Sequence, residues 1–131
     1  MKISATVRNS PTSHEVHVAT DDSAQSLPIP AKRTGKGSAI NGGEFLMLAL
    51  ATCYCNDVYR EAERMNIPVD GVSVEASADF PGPGLAATNI RYRARITSSA
   101  PDDVIANLLR QTDAVAEVHN TLRSGSLVTL E

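Results

Sequence analysis

Residues 41–53 read Asn-Gly-Gly-Glu-Phe-Leu-Met-Leu-Ala-Leu-Ala-Thr-Cys. Asn41 is a good helix N-cap, and Glu44 three residues later completes a capping signal. The helix then runs to about Met65, and Pro68 stops it. Its first half is apolar on every face, so we expect it to be buried all round, whereas the polar second half should emerge. The pattern predicts a long central helix over residues 41–66.

Alternating sequences on both sides of this helix predict β-hairpins. Residues 2–8 and 14–20 alternate around a turn, and residues 72–80 and 89–97 alternate around a Pro-Gly-Pro-Gly loop. Residues 21–40 are polar and have no clear period. We expect them to form an irregular segment that serves as a functional loop or packs onto another subunit.

The C-terminal part predicts a helix with a break near 111–113, a short helix to Arg123, a C-cap at Gly125 and a closing strand over 126–131. The fold class expected is therefore α+β, with antiparallel sheets around a buried central helix.

The length of 131 residues fits one domain. We divide it into an N-terminal hairpin and loop (1–40), the helix (41–66), and a region of hairpin, helices and last strand (69–131).

Composition excludes several partners. Twelve Lys and Arg against 15 Asp and Glu give a net charge of −3, and the chain has three Tyr, two Phe and no Trp. This composition argues against nucleic acid and anionic membranes as partners. No signal peptide opens the sequence, the longest apolar stretch (45–51) is too short to cross a membrane, and two cysteines are not a secreted disulfide framework. We expect a cytoplasmic protein.

Two cysteines lie on the predicted helix. Cys53 and Cys55 are two residues apart, so their side chains point roughly 200° from each other and cannot form a disulfide without distortion. Cys55 shares its face with apolar residues, which is typical of a core position. Cys53 lies where the apolar stripe becomes polar, beside Asp57 and Arg60. A half-buried thiol in such a place can be reactive, although a buried cysteine is more often an inert hydrophobe.

Activation of Cys53 requires a lower thiol pKa. Asp57 would oppose ionisation, so an arginine must supply most of the effect. Arg60 is on the same helix, whereas Arg8 and Arg33 would reach the thiol only through the tertiary fold.

The three histidines do not indicate a metal site. His14 and His17 are three apart on a strand and so lie on opposite faces, and His119 is alone in a helix. No phosphate-binding or dinucleotide-binding motif is present. We therefore predict no metal and no cofactor.

The helix motif resembles a family signature. Residues 41–53 are similar to the Asn-Pro-Glu-Glu-Leu-Leu-x-x-Ala-x-x-x-Cys motif of the OsmC/Ohr family, the osmotically inducible and organic hydroperoxide resistance proteins. The order of elements also fits over nearly the whole chain. The resemblance implies an OsmC-like fold and an intertwined homodimer with active sites at the subunit interface. It also implies that Cys53 is the peroxidatic thiol, which attacks a hydroperoxide and becomes a sulfenic acid.

The sequence departs from the family in its other site residues. The family's second, resolving cysteine lies in a Cys-Pro-x-Ser segment, which is matched here by Ala-Glu-Val-His at 116–119. The family's catalytic glutamate falls on Gly43, one residue before Glu44. The arginine that pairs with the thiolate is matched by Arg8. The resemblance thus gives Cys53, Arg8 and Glu44 as catalytic residues, although Glu44 is also the capping residue.

Three further residues are candidates for the pocket: Cys55, Asn56 and His119. For His119 we expect a position at the surface of its helix, with a place near the reactive thiol as the alternative.

Two functions follow. The first is thiol-dependent reduction of organic hydroperoxides through a one-cysteine cycle at Cys53, with an external thiol as reductant. The second is a non-catalytic protein of the same fold that binds a small apolar or electrophilic ligand in the pocket at the dimer interface. The position of Cys53 at the boundary between apolar and polar residues supports the first, and the missing resolving cysteine and the shifted glutamate support the second.

Overall fold

The computed structural model describes residues 1–131 and divides them into two compact units, Met1–Phe45 and Leu46–Glu131. The elements are β1 (Ile3–Asn9), β2 (His14–Thr20), β3 (Ser23–Leu27), α1 (Gly42–Arg64), β4 (Gly71–Asp79), β5 (Thr88–Thr97), α2 (Asp102–Val115) and α3 (Glu117–Ser124). Both sheets are antiparallel. The α+β class is confirmed, and the single domain over 1–131 stays a prediction.

The first unit is a three-stranded sheet in the order β1-β2-β3. Its third strand corrects the expectation that residues 21–40 are irregular. Ser23–Leu27 pairs with β2 because a tight turn at Asp21, which has a left-handed φ of 50°, reverses the chain. The sequence Ser-Ala-Gln-Ser-Leu is mostly polar, so it lacks the alternation that marks a half-buried strand. An isolated bridge joins Ala31 to Ser38 farther along.

Burial along α1 is the reverse of the expectation. In the apolar first half only Leu50 is buried, and Leu48 is 58% exposed. In the polar second half five side chains are buried: Tyr54, Asp57, Val58, Glu61 and Ala62. These positions recur every three or four residues and form one stripe, which packs into the core of the second unit. The polar composition of the second half concealed this stripe.

The core of the second unit joins α1 to a two-stranded sheet and to α2. Tyr54, Val58, Leu108 and Ala116 are at most 2% exposed and form its centre together with Ala62. The inward faces of β4 and β5 pack against it with the side chains of Val72, Val74, Tyr92, Ala94 and Ile96. On the outward face, Arg93 pairs with Glu75 at 2.6 Å, as cross-strand alternation predicts.

The C-terminal region differs from the expectation in two places. The break between α2 and α3 lies at Ala116, not at 111–113. Gly125 ends α3 with a left-handed φ of 63°, as predicted. The predicted closing strand over 126–131 is wrong, because a strand needs an edge to pair with and this segment pairs with none. Its Leu127, Val128 and Leu130 are more than 90% exposed.

None of the helices combines the length and the apolar character that a membrane-spanning segment requires.

Candidate functional site

Cys53 lies in the second half of α1, where its thiol faces two carboxylates. Sγ is 3.5 Å from Oδ2 of Asp57, one turn farther along the same helix, and 3.9 Å from Oε2 of Glu117. Glu117 reaches the thiol because the break at Ala116 starts α3 beside α1. Cys53 is half-buried and the Asp57 side chain is 6% exposed, whereas that of Glu117 is 68% exposed. The S–H group of Cys53 is the hydrogen-bond donor in both contacts, and the carboxylate oxygens are the acceptors.

Arg60 pairs with the carboxylates. Its Nη1 is 2.9 Å from Oδ1 of Asp57 and 3.4 Å from Oε1 of Glu117. The guanidinium therefore bridges the two acids on the side away from the oxygens that face Sγ. We name these four residues (Cys53, Asp57, Arg60 and Glu117) the Cys53 cluster.

The electrostatics of the cluster favour a neutral thiol. Burial is the largest influence on the pKa of Cys53 and raises it; the Val118 backbone lowers it in part, and the negative charges of Asp57 and Glu117 raise it further. Burial also raises the pKa of Asp57. The pKa of Glu117 is lowered by its own backbone N–H and by Arg60. The prediction that Asp57 opposes ionisation of the thiol is confirmed.

The Cys53 cluster also has the donor atoms of a metal site. Sγ of Cys53 and one oxygen each of Asp57 and Glu117 lie within 4.8 Å of one another. A divalent cation could be held there by the thiolate and by the carboxylate oxygens that face Sγ, whereas Arg60 bonds the other oxygen of each carboxylate. The prediction of no metal rested on the histidines, and Glu117 was missed because it is 64 residues from Cys53.

The structure places the other predicted residues in different environments. Glu44 caps α1: its Oε2 accepts the Asn41 backbone N–H at 2.8 Å, and Asn41 Oδ1 accepts that of Glu44 at 2.9 Å. Arg8 is exposed on β1, opposite Glu15. Both residues belong to the first unit, and their catalytic roles stay predictions. In the second unit Cys55 is half-buried and Asn56 is exposed.

His119 is not at the surface, contrary to the expectation. It is 3% exposed, and its ring packs against two tyrosines. The distance between ring centroids is 5.6 Å to Tyr54 and 4.4 Å to Tyr92. Burial and the nearby Arg123 lower its pKa, so the imidazole is neutral at pH 7. Neither ring nitrogen has a hydrogen-bond partner. This burial was not predictable from sequence, because α3 has only eight residues and few apolar ones.

A cavity of about 250 Å³ lies beside His119. It is lined by Leu50, Ile90, Tyr92, His119, Leu122 and Arg123. Of the predicted pocket residues only His119 lines it. We name it the His119 cavity.

One wall of the His119 cavity is held by hydrogen bonds to Asp113 of α2. This carboxylate accepts the Tyr92 hydroxyl, and Arg123 Nη2 donates to it at 2.7 Å. Arg123 Nη1 donates to the Asp113 carbonyl and to Asn120. The guanidinium is therefore fixed in position.

Solved proteins share this fold at low sequence identity. An OsmC-like protein from Mycoplasma pneumoniae is 20% identical with a TM-score of 0.69, over 94% of this chain and 88% of that one. An organic hydroperoxide resistance protein OsmC from Legionella pneumophila is 17% identical with a TM-score of 0.62, over 94% and 90%. An organic hydroperoxide resistance protein from Elizabethkingia anophelis is 15% identical with a TM-score of 0.64, over 94% of this chain and 89% of that one.

A comparison with curated proteins finds no significant match. The family model for OsmC-like protein matches residues 35–131, which is well over half of the chain. The chain therefore belongs to the OsmC-like family.

Proposed function

We propose that this protein reduces organic hydroperoxides at Cys53, with an external thiol as reductant. The observation that carries the proposal is the contact of Cys53 with the start of α3, through Glu117 at 3.9 Å. By resemblance, segment 116–119 is where the family has its second cysteine, and this chain has Ala116. Two of the similar structures are described as organic hydroperoxide resistance proteins, which supports the same substrate class.

The proposed cycle has two steps. Sγ attacks the terminal oxygen of the hydroperoxide, the O–O bond breaks, and the thiol becomes a sulfenic acid while an alcohol leaves. Asp57, 3.5 Å from Sγ, accepts the thiol proton and returns it to the leaving alkoxide. Two external thiols then reduce the sulfenic acid back to the thiol. The two thiols leave as a disulfide, and the sulfenic oxygen leaves as water. Cys55 takes no part, because a bond between residues two apart would distort the helix.

The first step should be slow at neutral pH. The groups that face Sγ are carboxylates, so the thiolate fraction is smaller than in an ordinary cysteine. The resemblance assigns thiolate pairing to Arg8, and we propose that Arg8 supplies the missing positive charge. The Arg8→Met variant should then lose most of its activity while keeping its fold, since Arg8 is exposed on β1.

The test is consumption of cumene hydroperoxide in the presence of dithiothreitol. The wild type and Cys55→Ser should consume the peroxide at equal rates, whereas Cys53→Ser should show only the rate of dithiothreitol alone. Cys55→Ser is the matched control, because both cysteines are half-buried on the same helix. Equal rates for Cys53→Ser and the wild type would refute the proposal.

A non-catalytic role is the second candidate. The raised pKa of Cys53 and the His119 cavity favour it, since a protonated thiol beside a cavity suits ligand binding more than nucleophilic attack. In that case the wild type would show no peroxide consumption above dithiothreitol alone.

We also propose that two copies of the chain associate. The support is apolar surface left uncovered in one chain, on α1 at Leu48 and Tyr59 and in residues 127–130. Burial of such patches drives the association of subunits. A cytoplasmic location is proposed as well, because a working free thiol requires a reducing compartment.

A further inference from the structure

The segment between β3 and α1 carries a compact positive patch. Residues 31–38 form a short hairpin with three basic side chains, those of Lys32, Arg33 and Lys36. We name it the basic hairpin. We propose that it binds a small molecule with two or more linked phosphate groups. This inference goes beyond the proposed function, because such binding needs neither a peroxide bond nor a reaction at Cys53.

The first support is the charge of the segment. Residues 23–43 contain no Asp or Glu, although the chain has 15 acidic residues, and all cations of this segment fall within the basic hairpin. The three basic side chains are exposed. The ion pairs of the chain all join residues between 57 and 123, so none of them neutralises the hairpin. Like charges held in so short a segment repel one another, and a bound polyanion relieves this repulsion.

The second support is that the basic hairpin is held in shape. The Lys32 N–H donates to the Gly37 carbonyl, and the Ala39 N–H donates to the Pro30 carbonyl, each at 2.9 Å. The Gly37 N–H donates to Oδ1 of Asn9 at 3.3 Å, which fixes the hairpin to the end of β1. The cations are therefore close together before a ligand arrives, and less conformational entropy is lost on binding.

The third support is the open backbone at the tip, residues 33–36. The hydrogen bonds that close the hairpin do not use the N–H groups of the tip. Gly35 and Gly37 have φ values of 88° and 101°, and a Cβ added at either would meet no atom within 4 Å. These glycines therefore turn the backbone rather than make room for a neighbouring side chain. Backbone N–H groups exposed in such turns bind anions, phosphate among them.

The composition of the basic hairpin selects among polyanions. Arginine and lysine are the side chains that bind phosphate groups, arginine through a fork of N–H donors. The hairpin has no aromatic side chain on which a base could stack, which disfavours nucleic acid. It also has no large apolar side chain that could enter a bilayer, which disfavours a membrane surface. A small soluble polyphosphate matches its charge and size.

The test is calorimetric titration of sodium tripolyphosphate into the full chain at low salt. The wild type should bind, and Arg33→Ser and Lys36→Ser should each bind about three- to tenfold more weakly. The variant that combines Lys32→Ser with these two changes should not bind. Lys2→Ser is the matched control, because it removes an exposed lysine outside the hairpin, and it should bind like the wild type.

Two further probes test the specificity for phosphate. ATP should bind the wild type with an affinity similar to that of tripolyphosphate, and adenosine should not bind, because the basic hairpin offers no platform for the base. The backbone amide resonances of Thr34, Gly35 and Lys36 should shift when tripolyphosphate is added, which locates the bound anion at the tip.

The inference is overturned if tripolyphosphate does not bind the wild type, if it binds the triple variant equally well, or if the resonances of the tip stay unchanged at saturation. Binding to phosphatidylserine vesicles without binding to tripolyphosphate would overturn it too, because the partner would then be a lipid surface. Failure of the peroxidase assay would leave it intact, because the basic hairpin and Cys53 belong to different units of the chain.

Discussion

Cys53 illustrates how far one residue's chemistry can be predicted from its neighbours in sequence. Asp57 follows it by four positions on a helix, so the contact at 3.5 Å and its effect on the thiol were predictable. Glu117 was not, because it is brought close only by the turn at Ala116. Arg60 was a candidate cation for the thiol, but it bonds the two carboxylates instead.

The carboxylates should control the reactivity of Cys53. The measurement is made in a Cys55→Ser background, so that Cys53 is the one thiol available for alkylation. Glu117→Gln and Asp57→Asn should each lower the pKa of Cys53, because each removes a negative charge within 4 Å of Sγ. Alkylation by monobromobimane at pH 7 should then be about three- to tenfold faster. In the parent the rate should keep rising above pH 9, since its thiol pKa lies above the usual value.

Glu63→Gln is the matched control, because Glu63 is an exposed carboxylate on the same helix with no contact to the thiol. Its alkylation rate should equal that of the parent. If neither Glu117→Gln nor Asp57→Asn alters the rate, the electrostatic description of the Cys53 cluster is wrong.

At the scale of elements, the sequence predicted the existence of α1 and misjudged its environment. The Asn41–Glu44 capping box set the start of the helix correctly. Burial was misjudged because composition was averaged over each half. The stripe of Tyr54, Val58 and Ala62 is spaced by four residues, and this periodicity, rather than the polar neighbours, determines which face packs.

Short elements were the hardest to predict. β3 has five residues and little apolar character, and it forms because β2 offers an edge and Asp21 turns the chain. The reverse holds for residues 126–131, which are predicted to form a strand but pair with no other strand. Pairing is decided by which edge is available, and this information is not local.

His119 links three elements, since it lies on α3 and packs against Tyr54 of α1 and Tyr92 of β5. Its pKa is lower in the folded protein than the value near 6.5 in the unfolded chain. The unfolded chain therefore binds more protons below about pH 6.5, and the free energy of unfolding falls as the pH drops through that region. Above about pH 6.5, the contribution of the buried, neutral His119 to the free energy of unfolding is fully present.

Urea unfolding at pH 7.5 and pH 5.5 measures this effect. The wild type should lose up to about 1 kcal/mol more stability than His119→Phe over this interval, because only the wild type has the buried imidazole. His14 and His17 are present in both proteins and cancel in the comparison. An identical pH dependence for the two proteins would show that His119 is not buried in its neutral form.

At the scale of the whole molecule, the helical and alternating patterns of the sequence correctly predicted an α+β chain. They did not predict how much apolar surface one copy leaves exposed. Leu48, Tyr59 and Ile90 are 58, 45 and 42% exposed, and Leu127 is 91% exposed. Exposed apolar side chains of this kind are the support for the proposed association of two copies.

The association of two copies can be measured by light scattering coupled to size-exclusion chromatography. The wild type should elute with a mass near twice the 13.9 kDa of one chain. Leu48→Asp should shift the mass toward a single chain, because it places a charge in an apolar interface. Glu63→Lys changes charge at an exposed position of the same helix and should leave the mass unchanged. A wild type of single-chain mass at every concentration would contradict the proposed association.

Ala116 has a consequence for how the oxidised protein can be followed. By the resemblance of segment 116–119, this fully buried methyl group stands where the family has its second cysteine, and Cys55 cannot reach Cys53 along the helix. An oxidised Cys53 therefore has no thiol of its own chain to close onto, and the first outside thiol to arrive becomes covalently attached. Intact mass spectrometry of protein taken from peroxide-treated cells would then read the identity of the physiological reductant directly from the added mass.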